Sequence, residues 1–435
     1  MEFDVVEGHD GYFFLRQGSN EVLRFYTEPD YFSDAIAQDW AARLIERRDW
    51  FAARDIRYVH LGVPDKITML PDKYPTPLPY LHRHPLALVD AALLARGESG
   101  VLVNPMPFLA IAALSYPIYA RTDTHWTIWA AWIAYRAVCA RLGFAPTVDL
   151  AAREPVRLRG VFDLGAKLVP PVEEDAVHFP LPGHVERVFA NEIVELVEQA
   201  GARGEPAPMH LGSHVVYRNP RAPYSETLFI FGDSYVDYRP SSFTALMAET
   251  FAEVHFFWAG HIDRALVLES GAALVVSEFN ERFMRWCPDD GFDARAYAAE
   301  RVAEYRESGS VTRHRDLFHQ AGRAEPGAGS LVWAGYRSDR GTMRKFLYAV
   351  GDGHVVAGDF GLAVADADRR IVAGSDVPAL PLAAMVLDHV FVAFDLADAA
   401  LALGLFGPTL RIIRPGSLEP GVYRVGRVRF FGARG

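Results

Sequence analysis

Short apolar runs alternate with stretches of helical spacing between residues 1 and 300 of the chain. Five apolar runs predict core strands, at residues 56–63, 101–104, 227–231, 254–258 and 272–277. Between them, helical periodicity predicts helices at residues 30–54, 85–95, 126–142, 184–200 and 241–251. Strands that alternate with helices favour an α/β fold, in which helices cover both faces of a parallel central sheet. In such three-layer folds the reactive groups gather at the carboxyl ends of the strands.

The second part of the chain has a different pattern. Residues 301–329 predict a helical linker and a hinge. Beyond them, alternating apolar residues predict strands at residues 330–337, 345–350, 354–364, 370–373, 389–394, 410–414 and 422–431. Many short strands with turn signals between them are typical of an antiparallel β-sandwich. We therefore divide the chain into a domain at 1–300, a linker at 301–329 and a C-terminal β domain at 330–435, which serves either carbohydrate binding or oligomerisation.

Composition limits the classes of protein to which the chain can belong. Its 435 residues suffice for two domains, and 50% hydrophobic residues can bury a large core. The formal net charge of −11 argues against a nucleic-acid partner. An acidic polysaccharide could still bind a local basic cleft, because net charge does not decide local potential. Cys139 and Cys287 are too few for a disulfide framework. The sequence has no glycine-rich nucleotide motif, so we predict no bound cofactor.

The first residues, Met1-Glu2-Phe3-Asp4, carry early acidic groups and no apolar stretch of the kind found in signal peptides. The most hydrophobic window, residues 382–406, is interrupted by ionisable side chains, which are expensive at the centre of a bilayer. We therefore expect a cytoplasmic protein without a membrane span. If a leader has been removed, the expected location is the periplasm.

One apolar run ends at Phe231 and leads directly into Gly232-Asp233-Ser234. A serine at the turn from a strand to a helix is lifted out of the sheet and faces backbone N–H groups, where acyl transfer needs its nucleophile. Three common residues make a weak motif when they stand alone. A serine hydroxyl also needs a base to take its proton.

The segment Thr122-Asp123-Thr124-His125-Trp126 supplies an imidazole and a carboxylate two residues apart. In an extended or turn backbone both side chains can point into one cleft, where the carboxylate fixes the tautomer of the imidazole. Each residue also has a structural interpretation: Asp123 as the N-cap of the next helix, and His125 as a half-buried histidine beside Trp126. Together with Ser234, the two motifs favour catalysis.

These motifs resemble those of a known family, the SGNH-hydrolase-like alginate and polysaccharide O-acetyltransferases of the AlgX/AlgJ type. Its members carry a Thr-Asp-Thr-His-Trp segment and, about a hundred residues later, a serine segment. Here His125 and Ser234 are 109 residues apart. Further segments of the chain are similar to family elements, at residues 9–15, 63–66, 70–75 and 278–282.

By this resemblance Ser234 is the nucleophile, His125 the base and Asp123 its orienting partner. The implied activity is transfer of an acetyl group to a carbohydrate or exopolysaccharide hydroxyl through an acetyl-serine intermediate. The donor is an acetyl ester or thioester, and a cytoplasmic location suggests acetyl-CoA as this co-substrate. Two alternatives stay open: an acetylesterase with the same triad, and a non-catalytic glycan-binding or scaffold protein.

Six further residues are candidates for oxyanion stabilisation or substrate binding: Tyr235, Asn219, Trp126, Arg121, Arg239 and Arg282. Asn219 could stand in for the oxyanion-hole asparagine of ordinary SGNH esterases, whose Gly-x-Asn-Asp block is missing here, or could form an Asn-Pro turn. Each arginine could clamp an anionic group or form a salt bridge. No metal site is predicted: the histidines are scattered, and His82 and His84 have no nearby carboxylate or thiol that would complete a site.

Two segments near the first motif have mainly structural interpretations. Asp163 resembles a Gly-Asp-Leu element of the family, with Phe162 in place of the glycine, and we interpret it as part of a turn. Residues 168–183 are rich in proline and acidic side chains, which predicts a loop that could form a lid over the site.

Overall fold

The computed structural model of the chain describes residues 5–16, 21–98, 100–204 and 210–308, and strands between residues 330 and 432. The chain divides into two compact units. The first contains Met1–Glu195 and His210–Tyr297, and the second contains Leu196–Met209 and Ala298–Gly435.

The strands up to residue 280 are β1 (Val5–Glu7), β2 (Phe13–Leu15), β3 (Arg57–Val63), β4 (Leu102–Val103), β5 (Val156–Val161), β6 (Glu173–His178), β7 (Glu186–Ala190), β8 (His214–Arg218), β9 (Tyr224–Gly232), β10 (Phe251–Trp258) and β11 (Leu274–Asn280). Seven of them form one sheet in the order β4-β3-β11-β9-β10-β8-β7. Strands β4, β3, β11, β9 and β10 pair in parallel, while β8 and β7 add by antiparallel pairing. This confirms the predicted α/β class with a mainly parallel central sheet.

The helices are α1 (Arg24–Thr27), α2 (Asp34–Ala52), α3 (Lys66–Met69), α4 (Pro85–Ala95), α5 (Met106–Ala112), α6 (Ile128–Leu142), α7 (Glu192–Ala202), α8 (Phe243–Thr250), α9 (Arg264–Ser270) and α10 (Ala294–Ser308). Helix α2 begins at an N-cap, Ser33, whose hydroxyl accepts a hydrogen bond from the N–H of Ile36. Helix α6 ends at Gly143, which adopts a φ of 84° that favours glycine. Among the helices of the described part, none has the length and hydrophobicity needed to span a membrane.

The buried core lies between the sheet and these helices. Every residue of β11 is buried, as are Trp40 and Leu44 of α2 and Val138 of α6. A strand covered on both faces needs no alternation of polar and apolar residues. For this reason the central strands are visible in the sequence as continuous apolar runs.

Three local predictions were wrong. Residues 184–200 form strand β7 followed by α7 instead of one helix. Residues 168–183 are not a simple loop, because they contain β6, which pairs with β5 in an antiparallel hairpin. Helix α8 begins only at Phe243, so Ser234 does not lie at its N-terminus.

The strands of the second unit are β12 (Ser330–Asp339), β13 (Thr342–Gly351), β14 (His354–Ala357), β15 (Gly361–Val364), β16 (Leu380–Pro381), β17 (His389–Asp395), β18 (Ala400–Leu405), β19 (Thr409–Ile413), β20 (Arg427–Arg429) and β21 (Phe431–Gly432). They form two sheets, with the orders β14-β13-β12-β21 and β16-β15-β19-β18-β17-β20. The predicted strand at 370–373 lies outside the described residues. The β-sandwich and its role in glycan binding or oligomerisation stay predictions.

Candidate active site

Ser234 lies in the turn that follows the carboxyl end of β9, one residue beyond Asp233. Gly232, the last residue of β9, allows this turn to form because it has no side chain, and other side chains pack directly against its backbone. A Cβ atom at Gly232 would lie 2.3 Å from a Val236 methyl group and 2.8 Å from the Glu278 carboxylate. The glycine in the Gly-Asp-Ser motif is therefore required by packing.

The backbone amides around Ser234 differ in their hydrogen bonds. The N–H of Asp233 donates to Glu278 Oε2 (2.9 Å), that of Tyr235 donates to Asp233 Oδ1 (2.8 Å), and that of Val236 donates to the Asp233 carbonyl (3.3 Å). Within the part of the chain that the structure describes, the N–H of Ser234 has no acceptor. Of the four backbone N–H groups in this turn, that of Ser234 is therefore the one available to donate to an oxyanion.

His125 connects the serine to a carboxylate. Its Nε2 lies 2.7 Å from Ser234 Oγ, and its Nδ1 lies 2.6 Å from Asp123 Oδ1. The same carboxylate oxygen accepts the backbone N–H of His125 at 2.9 Å. With a proton on Nδ1, the imidazole donates to Asp123 and presents a lone pair to the hydroxyl of Ser234.

The environment of this group favours a charged pair. Burial alone would lower the pKa of His125, but the carboxylates of Asp123 and Asp163 outweigh it and raise this pKa above 6.5. Burial alone would raise the pKa of Asp123, but the charge and hydrogen bonds of His125 hold it well below its usual range. Asp123 is therefore an anion at neutral pH and stabilises an imidazolium beside it.

Tyr235 and Trp126 hold the two motifs together and are buried. The indole N–H of Trp126 donates to the Tyr235 carbonyl (2.9 Å), and the Tyr235 hydroxyl donates to the Thr124 carbonyl (2.7 Å). The guanidinium of Arg282 donates to the same hydroxyl (2.8 Å) and pairs with Asp65. Trp126, Tyr235 and Arg282, all predicted as site residues, thus make contacts that position the two motifs. The guanidinium of Arg282 is engaged by Asp65 and Tyr235 and is not available to clamp a ligand.

Lys66 supports the histidine segment from behind. Its ammonium donates to three backbone carbonyls, those of Phe13 (2.7 Å), Arg121 (2.9 Å) and Asp123 (3.0 Å). The residue is 2% exposed, and burial lowers its pKa to about 7 even though Asp123 and three other carboxylates raise it. The Lys66 side chain therefore fixes the backbone of the segment that carries Asp123 and His125.

Asp163 and Glu174 are site residues that the sequence reasoning did not identify. Asp163 accepts hydrogen bonds from the N–H and the hydroxyl of Thr124 (2.7 and 2.5 Å). Glu174, in β6, accepts the N–H groups of Arg121 and Thr122. Desolvation and the charge of Asp123 raise the pKa of Asp163. The Phe162-Asp163-Leu164 element was the available signal for Asp163, but it was interpreted only as a turn.

A second pair of carboxyl groups lies under the serine turn. Asp233 Oδ2 accepts the N–H of Asn280 (3.0 Å), and both Asp233 and Glu278 are buried. Burial raises the pKa of Asp233, and burial together with the charge of Asp233 raises the pKa of Glu278 well above its usual value. The oxygens of the pair accept backbone N–H groups of the serine turn and of β11 and so hold the turn in place.

Three predicted residues do not contact the serine–histidine group. Asn219 donates its side-chain amide to the carbonyls of Ala248 (3.2 Å) and Glu249 (2.9 Å), so both of its N–H bonds are used at the end of α8. Arg239 pairs with Asp237. Arg121 is exposed, and its guanidinium lies 5.9 Å from the centre of the Tyr12 ring. Asn219 is thus removed as an oxyanion donor, because its donors are already satisfied.

Within the described residues, one group of three side chains could offer ligands to a metal ion. Its members are Asp123, His125 and Asp163, whose ligand atoms lie within 4.8 Å of one another. Both ring nitrogens of His125 already face Asp123 and Ser234. A metal ion bound through His125 would therefore have to replace one of these hydrogen bonds.

The parallel sheet, the serine after β9 and the adjoining histidine–aspartate pair define an SGNH-hydrolase-like α/β domain. Residues 5–164 match the family model described as SGNH hydrolase-like domain, acetyltransferase AlgX. The match contains Asp123 and His125 and ends before Ser234. It confirms the resemblance seen in the motifs: over these residues the chain is similar to the SGNH hydrolase-like domain of the acetyltransferase AlgX.

Three solved structures are among those similar to the chain. Bacillus cereus PatB1 with a sulfonyl adduct is 12% identical, with a TM-score of 0.45, over 64% of this chain and 97% of that chain. The O-acetyltransferase domain of Pseudomonas putida AlgJ is 17% identical, with a TM-score of 0.39, over 68% and 98%. Pseudomonas aeruginosa AlgX is 10% identical, with a TM-score of 0.39, over 97% and 89%. No protein of curated function matches the sequence.

Proposed function

We propose that the protein transfers an acetyl group to a hydroxyl of a carbohydrate, with Ser234 as nucleophile, His125 as base and Asp123 as its orienting carboxylate. The observation that carries the proposal is the 2.7 Å contact between His125 Nε2 and Ser234 Oγ, with Asp123 on the opposite nitrogen. The acetyltransferase family match over residues 5–164 supports the same chemistry.

In the first step His125 Nε2 takes the proton of Ser234 while Oγ attacks the acetyl carbonyl of an ester or thioester donor. The imidazolium that forms is stabilised by Asp123 at 2.6 Å. The negative charge that develops on the carbonyl oxygen is stabilised by the uncommitted N–H of Ser234, a contribution of a few kcal/mol. The leaving group then takes the proton from His125, and acetyl-Ser234 remains.

In the second step a sugar hydroxyl gives its proton to His125 and attacks the acetyl-serine. Collapse of the intermediate returns the proton to Ser234 Oγ and releases the acetylated sugar. Among the protein's own groups, only Ser234 and His125 gain or lose a proton in these two steps. The physiological donor enters as a co-substrate, and acetyl-CoA remains the proposed donor if the protein is cytoplasmic.

An acetylesterase is the second candidate, because one observation favours it. The side chain of His125 is 28% exposed, so water can reach the base in place of a sugar. The same three residues would then hydrolyse the acetyl-serine. Transfer and hydrolysis are distinguished by whether an added glycan diverts acetyl groups from acetate to product.

The test follows acetate and acetylated glycan together, with p-nitrophenyl acetate as donor. We expect Ser234→Ala to abolish both products and to leave folding intact, because it removes one half-buried oxygen. Ser115→Ala, at an exposed serine after α5, is the matched control and should keep wild-type rates. Retention of wild-type rates by Ser234→Ala would contradict the proposal. Acetate release that is unchanged by glycan would favour the esterase.

A further inference from the structure

A cleft of about 810 Å³ lies against Asp123 and Trp126. Its walls are the turn that carries Tyr12, the segment around residues 117–129 and the β5–β6 hairpin. The volume is within the range of about 300–1,000 Å³ that is typical of ligand sites. Because Asp123 also contacts His125, the cleft begins beside the group to which the chemistry is assigned.

The lining of this cleft is aromatic. The rings of Tyr12, Trp126, Trp129 and Phe162 all contribute to it. Aromatic rings offer large apolar faces, and polar groups at their margins fix the orientation of a ligand. Sugar rings present apolar C–H faces and polar hydroxyl edges, so this lining suits a carbohydrate.

The charged groups of the lining are mostly negative. Its carboxylates are Glu7, Asp123, Glu173, Glu174 and Asp175, and its guanidinium groups are Arg121 and Arg159. Five carboxylates against two cations make the cleft electronegative. The lining of this cleft is therefore not the basic surface that an acidic polysaccharide would require.

The two cations are not equally available. Arg159 is already paired, since its guanidinium lies 2.9 Å from Glu173 and 3.7 Å from Asp175. Burial lowers the pKa of His178, which leaves this imidazole uncharged at neutral pH. Lys66 is 2% exposed behind the wall and donates to backbone carbonyls. Arg121 is thus the one exposed cation among the described lining residues without an ion pair.

We infer that this cleft binds the acceptor glycan next to its acetylated residue and selects neutral or amino-bearing glycans over polyanionic ones, such as polymers of uronic acids. The inference rests on the proposed function, whose acceptor it specifies. Repulsion between like charges rejects a polyanion, while the aromatic lining accepts any sugar of suitable shape. The acceptor class therefore differs from the alginate in the name of the family that the sequence resembles.

A binding experiment tests this inference separately from catalysis. Ser234→Ala protein is titrated calorimetrically at low salt with three hexasaccharides of matched length: β-1,4-linked glucose, glucosamine and mannuronate. We expect the first two to bind at least about tenfold more tightly than the mannuronate hexamer. Added salt should weaken the discrimination between the glucosamine and mannuronate hexamers. Equal or tighter binding of mannuronate, or no binding of any hexamer, would overturn the inference.

A double variant locates the effect in the cleft. Glu173→Gln with Asp175→Asn removes two exposed carboxylates and frees Arg159, so mannuronate binding should strengthen several-fold relative to glucose. Asp30→Asn with Glu186→Gln removes the same number of charges from exposed positions outside the cleft lining and should leave the ratio unchanged. An unchanged ratio in the first double variant would contradict the assignment. Hydrolysis of p-nitrophenyl acetate by the wild type tests the proposed function independently of these affinities.

Discussion

Replacement of Asp123 by asparagine should slow the reaction without unfolding the protein. The substitution keeps the size of the side chain but removes the charge that lies 2.6 Å from His125 Nδ1. During attack by Ser234 the imidazole becomes positively charged, and in the variant nothing at Nδ1 balances this charge. The variant therefore loses an interaction that is stronger in the transition state than in the ground state.

The size of the effect follows from the geometry. Two unit charges whose centres are about 4 Å apart interact by about 4 kcal/mol at an effective dielectric constant of about 20. The side chains of His125 and Asp123 are 28% and 19% exposed, so screening by solvent reduces this value to about 2–3 kcal/mol. That loss corresponds to a kcat roughly 30- to 150-fold lower. An asparagine amide that favours the wrong imidazole tautomer would add to the loss.

The assay is steady-state hydrolysis of p-nitrophenyl acetate, with circular dichroism to show that the fold is intact. Asp163→Asn is the matched control, because it removes a neighbouring carboxylate that bonds to Thr124 and Asp123 and does not contact a ring nitrogen of His125. We expect Asp163→Asn to lower kcat by less than about tenfold. A folded Asp123→Asn variant within about threefold of the wild type, or a larger loss in Asp163→Asn, would refute the electrostatic reasoning.

Two further predictions concern the surroundings of the histidine. Because His125 acts as a base only when neutral, kcat/KM should rise with pH through a pKa above 6.5. Asp163→Asn removes a charge that raises this pKa, so the rising limb of the pH–rate profile should move to lower pH; an unmoved limb would contradict the assignment. Lys66→Met should lower the free energy of unfolding by about 3 kcal/mol and reduce kcat, since three backbone carbonyls lose their donor. Lys73→Met, at a half-buried lysine paired with Asp10, should have a much smaller effect in chemical denaturation, and equal losses of stability at both lysines would refute the role of Lys66.

The central strands were predictable because their apolar character is continuous, but their ends were not. The predicted strand at 272–277 continues in the structure to Asn280. Glu278 and Asn280, near its end, are polar, and they are buried because distant groups satisfy them. Glu278 accepts the N–H of Asp233, and Asn280 donates to the carbonyl of Pro64. Such long-range partners leave no periodic signal in the sequence.

The error at residues 184–200 has a different cause. Strand β7 lies at one edge of the sheet, and its Val188 and Phe189 are 44% and 46% exposed. Apolar residues on a half-exposed edge strand do not alternate clearly, and here they precede α7 at a spacing that is compatible with a helix. Local periodicity alone could not place the boundary between the two elements.

The serine, the histidine and the aspartate could be proposed from sequence because each belongs to a short motif. The structure brings the two motifs together across 109 residues. Lys66, Glu174 and Asp163 could not be assigned in the same way, because their contacts are mostly with backbone groups of a distant segment. Any residue type can supply a backbone N–H or carbonyl group, so such contacts do not produce a recognisable sequence motif.

Trapping of the acyl-enzyme tests the central claim most directly. The protein is exposed briefly to p-nitrophenyl acetate, quenched in acid, digested and analysed by mass spectrometry. We predict a gain of about 42 Da, one acetyl group in place of one hydrogen, on the peptide that contains Ser234. The gain should be absent from Ser234→Ala and present in Ser115→Ala. An acetyl adduct that persists in Ser234→Ala, or acetyl turnover by the wild type with no adduct on Ser234, would contradict the account.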